Sequence, residues 1–427
     1  MVNKEDIKMQ NTKKVFSIND VKNKKSNVSL IQFPEVKYLK DGGTVPIKTM
    51  ANLEYLLNHY GINPVMNKIT HELTLQMEGR KFKKRGEMLT FVYDLQVKEG
   101  LNLNRAVCDE YLIDIANRKE INPFVDMLKK YRNDNHDIVL DVFEKCLTLQ
   151  DDALEDAEYY FTLFYKWLLN VVKMAHNELE NRYSSNGVLT LQGEQGCRKS
   201  TFARKLMPLN DLFKDGVSLD PDKTDSVIQN TKYILVELAE LDTTLKADQG
   251  KIKQFLTNTT DEYRVPFGRV AEIYPRLTSY IANVNKKDFL KDETGSRRFW
   301  VIPVKSCNIE EFDNFNMFEF WGAVYDMWLT NYSIDWLTKE EEAKQKIINR
   351  QFNAQTDISI ILDDKVDWES NDLRVYKLTE IAEKLNIKEK KALANELMRR
   401  GIPNQPYKVD GKSIRGYKIP FIRDYWE

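Results

Sequence analysis

The chain has 427 residues, of which 42% are hydrophobic and 30% charged, and its mean hydropathy is −0.54. This length predicts two to four domains, and no run approaches the roughly 18 apolar residues of a membrane span, so we expect no membrane partner. Neither a CxxC pair nor a metal-like histidine spacing occurs, which argues against a disulfide framework and a zinc site. The net charge of −1 means that any surface for nucleic acid must be local.

The chain is predicted to begin with a basic arm and a helical domain. Residues 1–27 contain seven Lys against three acidic residues without periodicity, which indicates a flexible basic arm or simply a solvated tail. Residues 28–150 are predicted to form an N-terminal mainly helical domain, because 51–61 and 101–118 show helical apolar spacing. No catalytic constellation occurs in this domain.

Residues 151–350 are predicted to form an α/β domain. A helical pattern over 151–183 comes first, and its aromatic residues are expected to pack in a core rather than bind a ligand. Short apolar runs (VLTLQ, YILVEL, SYIANV and RFWVIPV) then alternate with helical segments. This alternation is typical of an α/β sheet.

The segment VLTLQGEQGCRKSTF, 188–202, has the context of a phosphate-binding loop (P-loop), a strand followed by a glycine-rich turn and a helix. Its N–H groups would hold phosphates, Lys199 would reach the β- and γ-phosphates, and Ser200 would bind Mg²⁺. Arg198 stands where the pattern has its second glycine, and a positive φ there would cost about 1 kcal/mol. An ordinary βα turn is the alternative. The candidate nucleotide-binding residues are Gly193, Glu194, Gln195, Gly196, Cys197, Arg198, Lys199, Ser200 and Thr201.

Acidic and amide side chains follow the next two strands. The run TKYILVELAELD places Glu237 at a strand end and Glu240 three residues later. An ATPase uses one such carboxylate to hold hydrated Mg²⁺ and another to polarise the attacking water, although solvated carboxylates after a buried strand are also common. Asn285 follows the strand in TSYIANVNKKDFL and is the candidate sensor of the γ-phosphate, with Asn283 as the competing candidate and a turn asparagine as the alternative.

Two adjacent arginines precede the last strand. In DETGSRRFWVI, Arg297 and Arg298 are candidates for an arginine that is supplied across a subunit interface to a transferring phosphoryl group. One of the two is expected to be structural, paired with Asp292 or Glu293.

The segment DEYRVPFGRVAEIYPRLT, 261–278, is predicted to be a projecting hairpin. Arg264, Arg269 and Arg276 interleave with aromatic residues, a combination that suits single-stranded DNA. Arg264 and Arg269 are the candidate DNA-binding residues. A surface hairpin that packs its own aromatic side chains is the alternative.

The end of the chain is predicted to be a linker, 351–372, and a winged-helix DNA-binding domain, 373–427. Helical patterns over 377–387 and 388–402 precede a hairpin, and the last 52 residues hold twelve Lys/Arg against seven Asp/Glu. This charge suits duplex DNA, and a winged helix that contacts protein is the alternative. The candidate DNA-binding residues here are Lys388, Lys390, Lys391, Arg399, Lys412 and Arg415.

The order of the motifs GEQGCRKSTF, VELAEL, KQFLTNTTDEYRVPFGR and NVNKKDFLKDETGSRRFW resembles the virulence-associated protein E family of phages and pathogenicity islands. That family is similar to superfamily III helicases, whose ATPase is of the AAA+ type. The resemblance covers about 150–345 well. It implies ATP-driven DNA unwinding by a ring, usually a homo-hexamer, with ATP and Mg²⁺ as cofactors, in the cytoplasm of a bacterial host.

The resemblance also implies roles for the motif residues. It implies Lys199 and Ser200 on the nucleotide and Mg²⁺, Glu237 (also on Mg²⁺) and Glu240 as the acidic pair, Asn285 as the sensor, and Arg297 and Arg298 as the arginines acting in trans. Arg198 departs from the family's usual glycine, which bears on ATP turnover. Residues 1–150 lack the acidic metal-binding cluster of a primase, so we expect no primase activity.

The leading hypothesis is an ATP-dependent DNA helicase and replication initiator of a mobile genetic element, with duplex origin binding by the C-terminal domain and single strands in the ring's channel. One alternative is a hydrolysis-deficient DNA-binding regulator of replication, marked by Arg198. Another is an ATPase switch that assembles on a protein partner. ATP hydrolysis with and without single-stranded DNA separates the first two.

Overall fold

A computed structural model gives the fold of most of the chain. It describes residues 31–82, 84–217, 220, 222–238, 254–264, 271–290, 297–330, 334–352, 357–368, 370, 372–409 and 411–421. The predicted arm at 1–27 lies outside these residues. Within them, no helix combines the length and the apolar character that crossing a bilayer requires.

The first hydrophobic core is built by side chains between Ile31 and Ala116. Strand β3 lies between β4 and β5 and pairs antiparallel with the first and parallel with the second. The helices predicted at 51–61 and 101–118 are present with slightly different ends. The elements of this part are β1 (Val36–Tyr38), β2 (Thr44–Pro46), α1 (Met50–His59), β3 (Asn63–Asn67), β4 (Glu72–Gln76), α2 (Arg85–Lys98), α3 (Arg105–Asn117) and β5 (Glu120–Ile121).

The second and largest core surrounds a six-stranded mixed sheet, which confirms the predicted α/β class. The strand order is β6-β13-β7-β12-β9-β8, and only β6, paired with β13, is antiparallel to its neighbour. The strands are β6 (Leu147–Leu149), β7 (Val188–Gln192), β8 (Phe213–Val217), β9 (Leu235–Leu238), β12 (Ser279–Val284) and β13 (Phe299–Cys307), and a separate hairpin is formed by β10 (Thr260–Tyr263) and β11 (Glu272–Pro275).

Helices cover this sheet. They are α4 (Pro123–Lys130), α5 (Asp137–Cys146), α6 (Ala157–Ala175), α7 (Lys199–Leu206), α8 (Thr224–Thr231), α9 (Ile309–Phe312), α10 (Met317–Thr330) and α11 (Lys339–Asn349). The long helix predicted at 151–183 is shorter, because 151–156 form a 3₁₀ turn and α6 ends before His176. Its aromatic side chains pack in the core as expected, and Trp167 Nε1 donates to the Tyr280 carbonyl oxygen at 3.0 Å.

This core already includes side chains from Phe124 onward. Two short segments, α4 and α5, therefore pack with the sheet rather than with the first core. The predicted domain division at residue 150 stays a prediction.

The third core joins α12 (Asp357–Lys365), β14 (Arg374–Tyr376), α13 (Leu378–Lys384), α14 (Lys390–Arg399) and β16 (Lys412–Ile419), and β15 (Gln405–Val409) lies beside β16. Strand β16 pairs antiparallel with both β14 and β15. The stretch 351–372 is not simply the linker that we expected, since it contains α12, whose Leu362 is fully buried in this core. The sequence prediction missed this helix because the stretch is poor in apolar residues as a whole, whereas its apolar side chains are concentrated in 358–362.

Candidate nucleotide-binding site

The loop between β7 and α7 lies at the carboxyl edge of the parallel strands. The Gly193 N–H donates to the Val284 carbonyl oxygen at 3.0 Å, and a Cβ on Gly193 would lie 2.1 Å from the Val304 carbonyl oxygen. Gly196 has a φ of +92°, which favours glycine. Both glycines of the predicted loop are therefore required by its geometry.

The side chain of Lys199, the first residue of α7, is buried beneath this loop. Its Nζ donates to the carbonyl oxygens of Gly193 at 2.8 Å and Glu194 at 2.9 Å. It also donates to Asn285 Oδ1 at 3.0 Å, so that two residues predicted from separate motifs meet. The ammonium group is thus held at the inner side of the loop.

A second contact joins β9, β12 and α7. Asn283 Nδ2 donates to Glu237 Oε1 at 2.6 Å and lies 3.3 Å from Ser200 Oγ. Glu237 is buried, whereas Ser200 is exposed at the start of α7. The structure therefore brings Ser200 and Glu237 together through Asn283, which the sequence offered only as the competing sensor. Glu240 lies outside the described residues.

These groups have the chemistry of a magnesium site. Mg²⁺ in nucleotide sites is typically bound through one or two carboxylate or hydroxyl ligands, with phosphate oxygens and water completing its octahedron. Asn283 Oδ1 is buried and has no hydrogen-bond partner among the described residues, so it is an acceptor available to a bound ligand or water. No group of three His, Cys, Asp or Glu that could hold a metal occurs in the described part of the chain, and a site completed by phosphates does not need one.

Arg198 takes the strained conformation that its position in the motif predicted. Its φ is +65°, in the left-handed region, and its exposed guanidinium donates to Glu310 Oε1 of α9 at 2.5 Å. This contact raises the pKa of Arg198 and lowers that of Glu310. The Arg198 side chain is therefore held by a carboxylate that the sequence did not indicate.

Arg297 and Arg298 lie at the opposite edge of the same sheet. The Arg298 carbonyl accepts from the N–H of Val188, the first residue of β7, whereas the loop follows the last residue of that strand. Five residues of strand separate the two edges by about 16 Å. Burial, and then the neighbouring Arg297, lower the pKa of Arg298, and its Nε has no hydrogen-bond partner among the described residues. Asp292 and Glu293 lie outside those residues.

The predicted hairpin is present, but the three arginines of the segment do not share the exposed position that DNA binding requires. Arg264 is exposed, Arg269 lies outside the described residues, and Arg276 is fully buried. Arg276 Nε donates to Asp261 Oδ2 at 2.8 Å, and the guanidinium lies 4.1 Å from the Phe255 ring centroid. Arg276 is therefore structural and cannot contact DNA, because its positive charge is already paired inside the protein.

Two aromatic residues of the hairpin, like Arg276, make contacts within the protein. The rings of Tyr263 and Tyr274 lie 4.9 Å apart, and the His71 ring lies 4.0 Å from that of Tyr274. Burial, and then nearby Lys232, lower the pKa of His71 to about 4. The alternative in which the hairpin packs its own aromatics is correct for these two residues.

The candidate DNA-binding residues of the C-terminal part lie around α14 and β16. Lys388, Lys390, Lys391 and Arg415 are exposed, and the side chains of Arg399 and Lys412 lie outside the described residues. Arg400 instead binds Asp363 and donates to Glu396 Oε1 at 2.9 Å. The turn between β15 and β16 includes Gly411 with a φ of +77°, as the predicted hairpin requires.

Solved structures similar to this protein include two forms of the NrS-1 C-terminal region. The structure is similar to the apo structure of the NrS-1 C-terminal region, with a TM-score of 0.49, 13% identity, and coverage of 86% of this chain and 98% of that chain. The A form of that region has a TM-score of 0.44 with the same identity and coverage. Likeness of this degree implies no activity. No curated protein matches the sequence.

The family match rests on the sequence itself. A family model described as the virulence-associated protein E-like domain matches residues 128–354, more than half of the chain. The matched range contains the loop, the acidic strand, both asparagines and both candidate arginines. It confirms the resemblance seen in the motifs: the chain belongs to the virulence-associated protein E-like family.

Proposed function

We propose that the protein is an ATP-dependent DNA helicase and replication initiator of a phage or pathogenicity island, acting in the bacterial cytoplasm as a homo-hexameric ring. One observation carries this proposal. Lys199 and Ser200 from α7, Glu237 from β9, Asn283 from β12 and Asn285 directly after β12 converge through hydrogen bonds at one edge of the sheet. A P-loop core of the AAA+ type accounts for this convergence.

In this proposal the loop binds the phosphates of ATP. The N–H groups that open α7 face the phosphates, and Lys199 exchanges its carbonyl partners for phosphate oxygens. Ser200 and Glu237 would hold Mg²⁺, which would neutralise phosphate charge. Asn285 positions the Lys199 ammonium, and Asn283 fixes the Glu237 carboxylate. Glu240 is the proposed second carboxylate that polarises the attacking water.

In the proposed ring, a neighbouring subunit supplies the arginine that a single chain cannot bring to its own loop. Arg298 and Arg297 lie about 16 Å from their own loop, along β7. An arginine at that edge can act on a nucleotide only if a neighbouring subunit presents it, and such an arginine stabilises charge on the transferring phosphoryl group. This placement supports action in trans and hence assembly.

DNA is the proposed partner at two surfaces. The C-terminal order of helix, strand, two helices and hairpin supports a winged helix, whose exposed Lys388, Lys390 and Lys391 face duplex phosphates. The β10–β11 hairpin, through Arg264 and Arg269, is proposed to hold single strands. Arg264→Ala with Arg269→Ala should then impair unwinding and spare duplex binding.

The decisive test is ATP hydrolysis measured with and without single-stranded DNA, together with light scattering to determine assembly size. Turnover that DNA stimulates, in a particle several times the mass of the 50.2 kDa chain, supports the proposal. Absence of turnover under all conditions favours the hydrolysis-deficient regulator.

The matched variant is Arg198→Gly, which removes the positive-φ strain and the Glu310 contact. It should keep or raise turnover, whereas a severe loss would give Arg198 its own role in the site.

The proposed duplex-binding surface is tested by replacing one lysine at a time, so that each variant loses the same charge. Lys391→Ala should lower the slope of log K against log salt for duplex binding by about 0.9, because one phosphate contact is lost. Lys418→Ala on β16 is the control and should leave that slope unchanged. Equal effects of the two variants would remove α14 from the duplex interface.

A further inference from the structure

The segment that joins β4 to α2 concentrates positive charge. Residues 31–120 contain thirteen Lys/Arg and twelve Asp/Glu, and five of the thirteen fall between Arg80 and Arg85. Lys81 and Lys84 are exposed, and neither has an ion-pair partner among the residues that the structure describes. A nearly neutral part of the protein thus carries one sharply basic segment.

Aromatic side chains lie within this basic segment. The Arg80 guanidinium carbon lies 4.7 Å from the Phe82 ring centroid and 4.1 Å from that of Phe91. The two rings are 5.4 Å apart. Arg80 also lies 3.7 Å from Glu87, so cation–π contacts and a distant ion pair hold its flat guanidinium in place.

An open cavity of 520 Å³ lies directly beside these groups. Ligand cavities of about 300–1,000 Å³ accommodate molecules of the size of a nucleotide. The lining combines apolar, amide and cationic side chains with one carboxylate, and its residues are Gly61, Thr74, Leu75, Gln76, Met77, Glu78, Arg80, Lys81 and Phe82. The cavity therefore offers a planar face and a cationic rim together.

This combination selects one class of partner. A solvated basic loop alone would need neither a cavity nor a pre-formed arginine–aromatic stack. An acidic protein would use the lysines but leave the planar faces of Phe82 and Arg80 unused. A single strand of nucleic acid uses both, because phosphates pair with lysines while a base stacks on an aromatic or guanidinium plane. A duplex keeps its bases inside and cannot enter the cavity.

We propose that this cavity, with Lys81 in its lining and Lys84 three residues further along the chain, forms a binding site for single-stranded nucleic acid, separate from the ATP site and from the DNA surfaces proposed above. A base enters the cavity beside Phe82 and Arg80, and the flanking phosphates contact Lys81 and Lys84. The site does not depend on ATP, so its test leaves the proposed ATPase function untouched.

The first experiment locates the strand on the full-length protein. An oligothymidine strand is photo-cross-linked to the protein without nucleotide, and the complex is digested with a protease that cleaves after glutamate. Glu78 and Glu87 flank the segment, so its cross-link appears on the fragment 79–87. We expect cross-linked 79–87, and an equal duplex should give none there. Cross-links confined to other fragments would overturn the proposal.

The second experiment measures the contacts themselves. Lys81→Ala combined with Lys84→Ala should lower the salt slope of oligothymidine binding by about 1.4, since a single strand gives about 0.7 per phosphate contact. Phe82→Leu keeps apolar volume but removes the ring, and should weaken binding about fivefold or more with the slope unchanged. Lys98→Ala, at the far end of α2 about 20 Å away, is the matched control. A double variant that behaves like Lys98→Ala, or a site that prefers an acidic peptide, refutes the assignment.

Discussion

The two edges of the central sheet differ in how their polar groups are satisfied. At the carboxyl edge, Lys199, Asn285, Glu237 and Asn283 hydrogen-bond to one another or to the loop. At the amino edge, Arg298 Nε is buried without a partner among the described residues. Among the described residues, the Lys199 ammonium and the Glu237 carboxylate therefore have partners, whereas Arg298 Nε has none, and Asn283 Oδ1 is the unpartnered atom of the carboxyl edge. In the ring that we propose, a complete site would combine the carboxyl edge of one chain with the amino edge of its neighbour.

The largest expected effect is the loss of ATP hydrolysis when Lys199 is replaced at the carboxyl edge of the sheet. Lys199→Ala should reduce ATP hydrolysis to background while leaving the fold intact, because no other described ammonium lies beneath the loop to stabilise phosphate charge. Steady-state phosphate release measures turnover, and circular dichroism checks the fold. Unchanged turnover would show that the loop does not bind ATP.

The other edge is tested by Arg298→Ala. Nucleotide binding should persist, and turnover should fall by about a thousandfold or more, as expected when an arginine acts on the transferring group. Mixing this variant with Lys199→Ala protein should restore some turnover, because each chain supplies what the other lacks. If mixed assemblies form and stay inactive, the two edges do not cooperate across an interface. Arg297→Ala identifies which arginine acts.

A smaller effect is expected where a side chain only positions another. Asn283→Ala removes the hydrogen bond to Glu237 and should raise the Mg²⁺ concentration needed for half-maximal turnover by about ten- to a hundredfold. Mn²⁺ binding, followed by paramagnetic resonance in the presence of nucleotide, should weaken in parallel. Asn285→Ala is the matched control and should alter ATP affinity through Lys199. Identical responses of the two variants would contradict separate positioning roles.

The smallest expected effect concerns His71, away from both edges of the sheet, and the pH dependence of stability. The folded pKa of His71, about 4, is below the ordinary value of 6.5, so folding favours the neutral ring. Its contribution to stability is present above pH 6.5 and is lost as pH falls toward 4. His71→Asn accepts the φ of +54° and should reduce the loss of stability between about pH 7 and pH 5, measured by urea unfolding. His59→Asn is the control, and ATP turnover at pH 7 should stay unchanged in both.

The sequence predicted the parts of the site that lie at strand ends. Parallel strands carry their carboxyl ends to one edge of a sheet, so the sequence predicts that the loop, Glu237 and Asn285 lie near one another. The positive φ of Arg198 followed from its place in the motif. Spacing alone, however, favoured Asn285 and left Asn283 only as its competitor, because the register of β12 against β7 and β9 is what places Asn283 beside Glu237.

Long-range pairing explains what the sequence did not predict. Arg276 carried the same basic–aromatic signal as Arg264, and its burial depends on Asp261 facing it from the other strand. Glu310 meets Arg198, and His71 meets Tyr274, across large separations in the chain. Hydrophobic periodicity reports which face of an element is buried, but not which distant side chain it meets.

The buried Arg276–Asp261 pair has a mechanical consequence. Arg276 ties the base of the β10–β11 hairpin to the Phe255 carbonyl, and β12 begins three residues later at Ser279. Asn283 lies at the other end of β12 and Asn285 directly follows that end, and they contact Glu237 and Lys199, respectively. A strand hydrogen-bonded on both sides transmits displacement along its axis with little bending. A load applied to the hairpin would therefore pass along β12 to the side chains that contact Lys199 and Glu237.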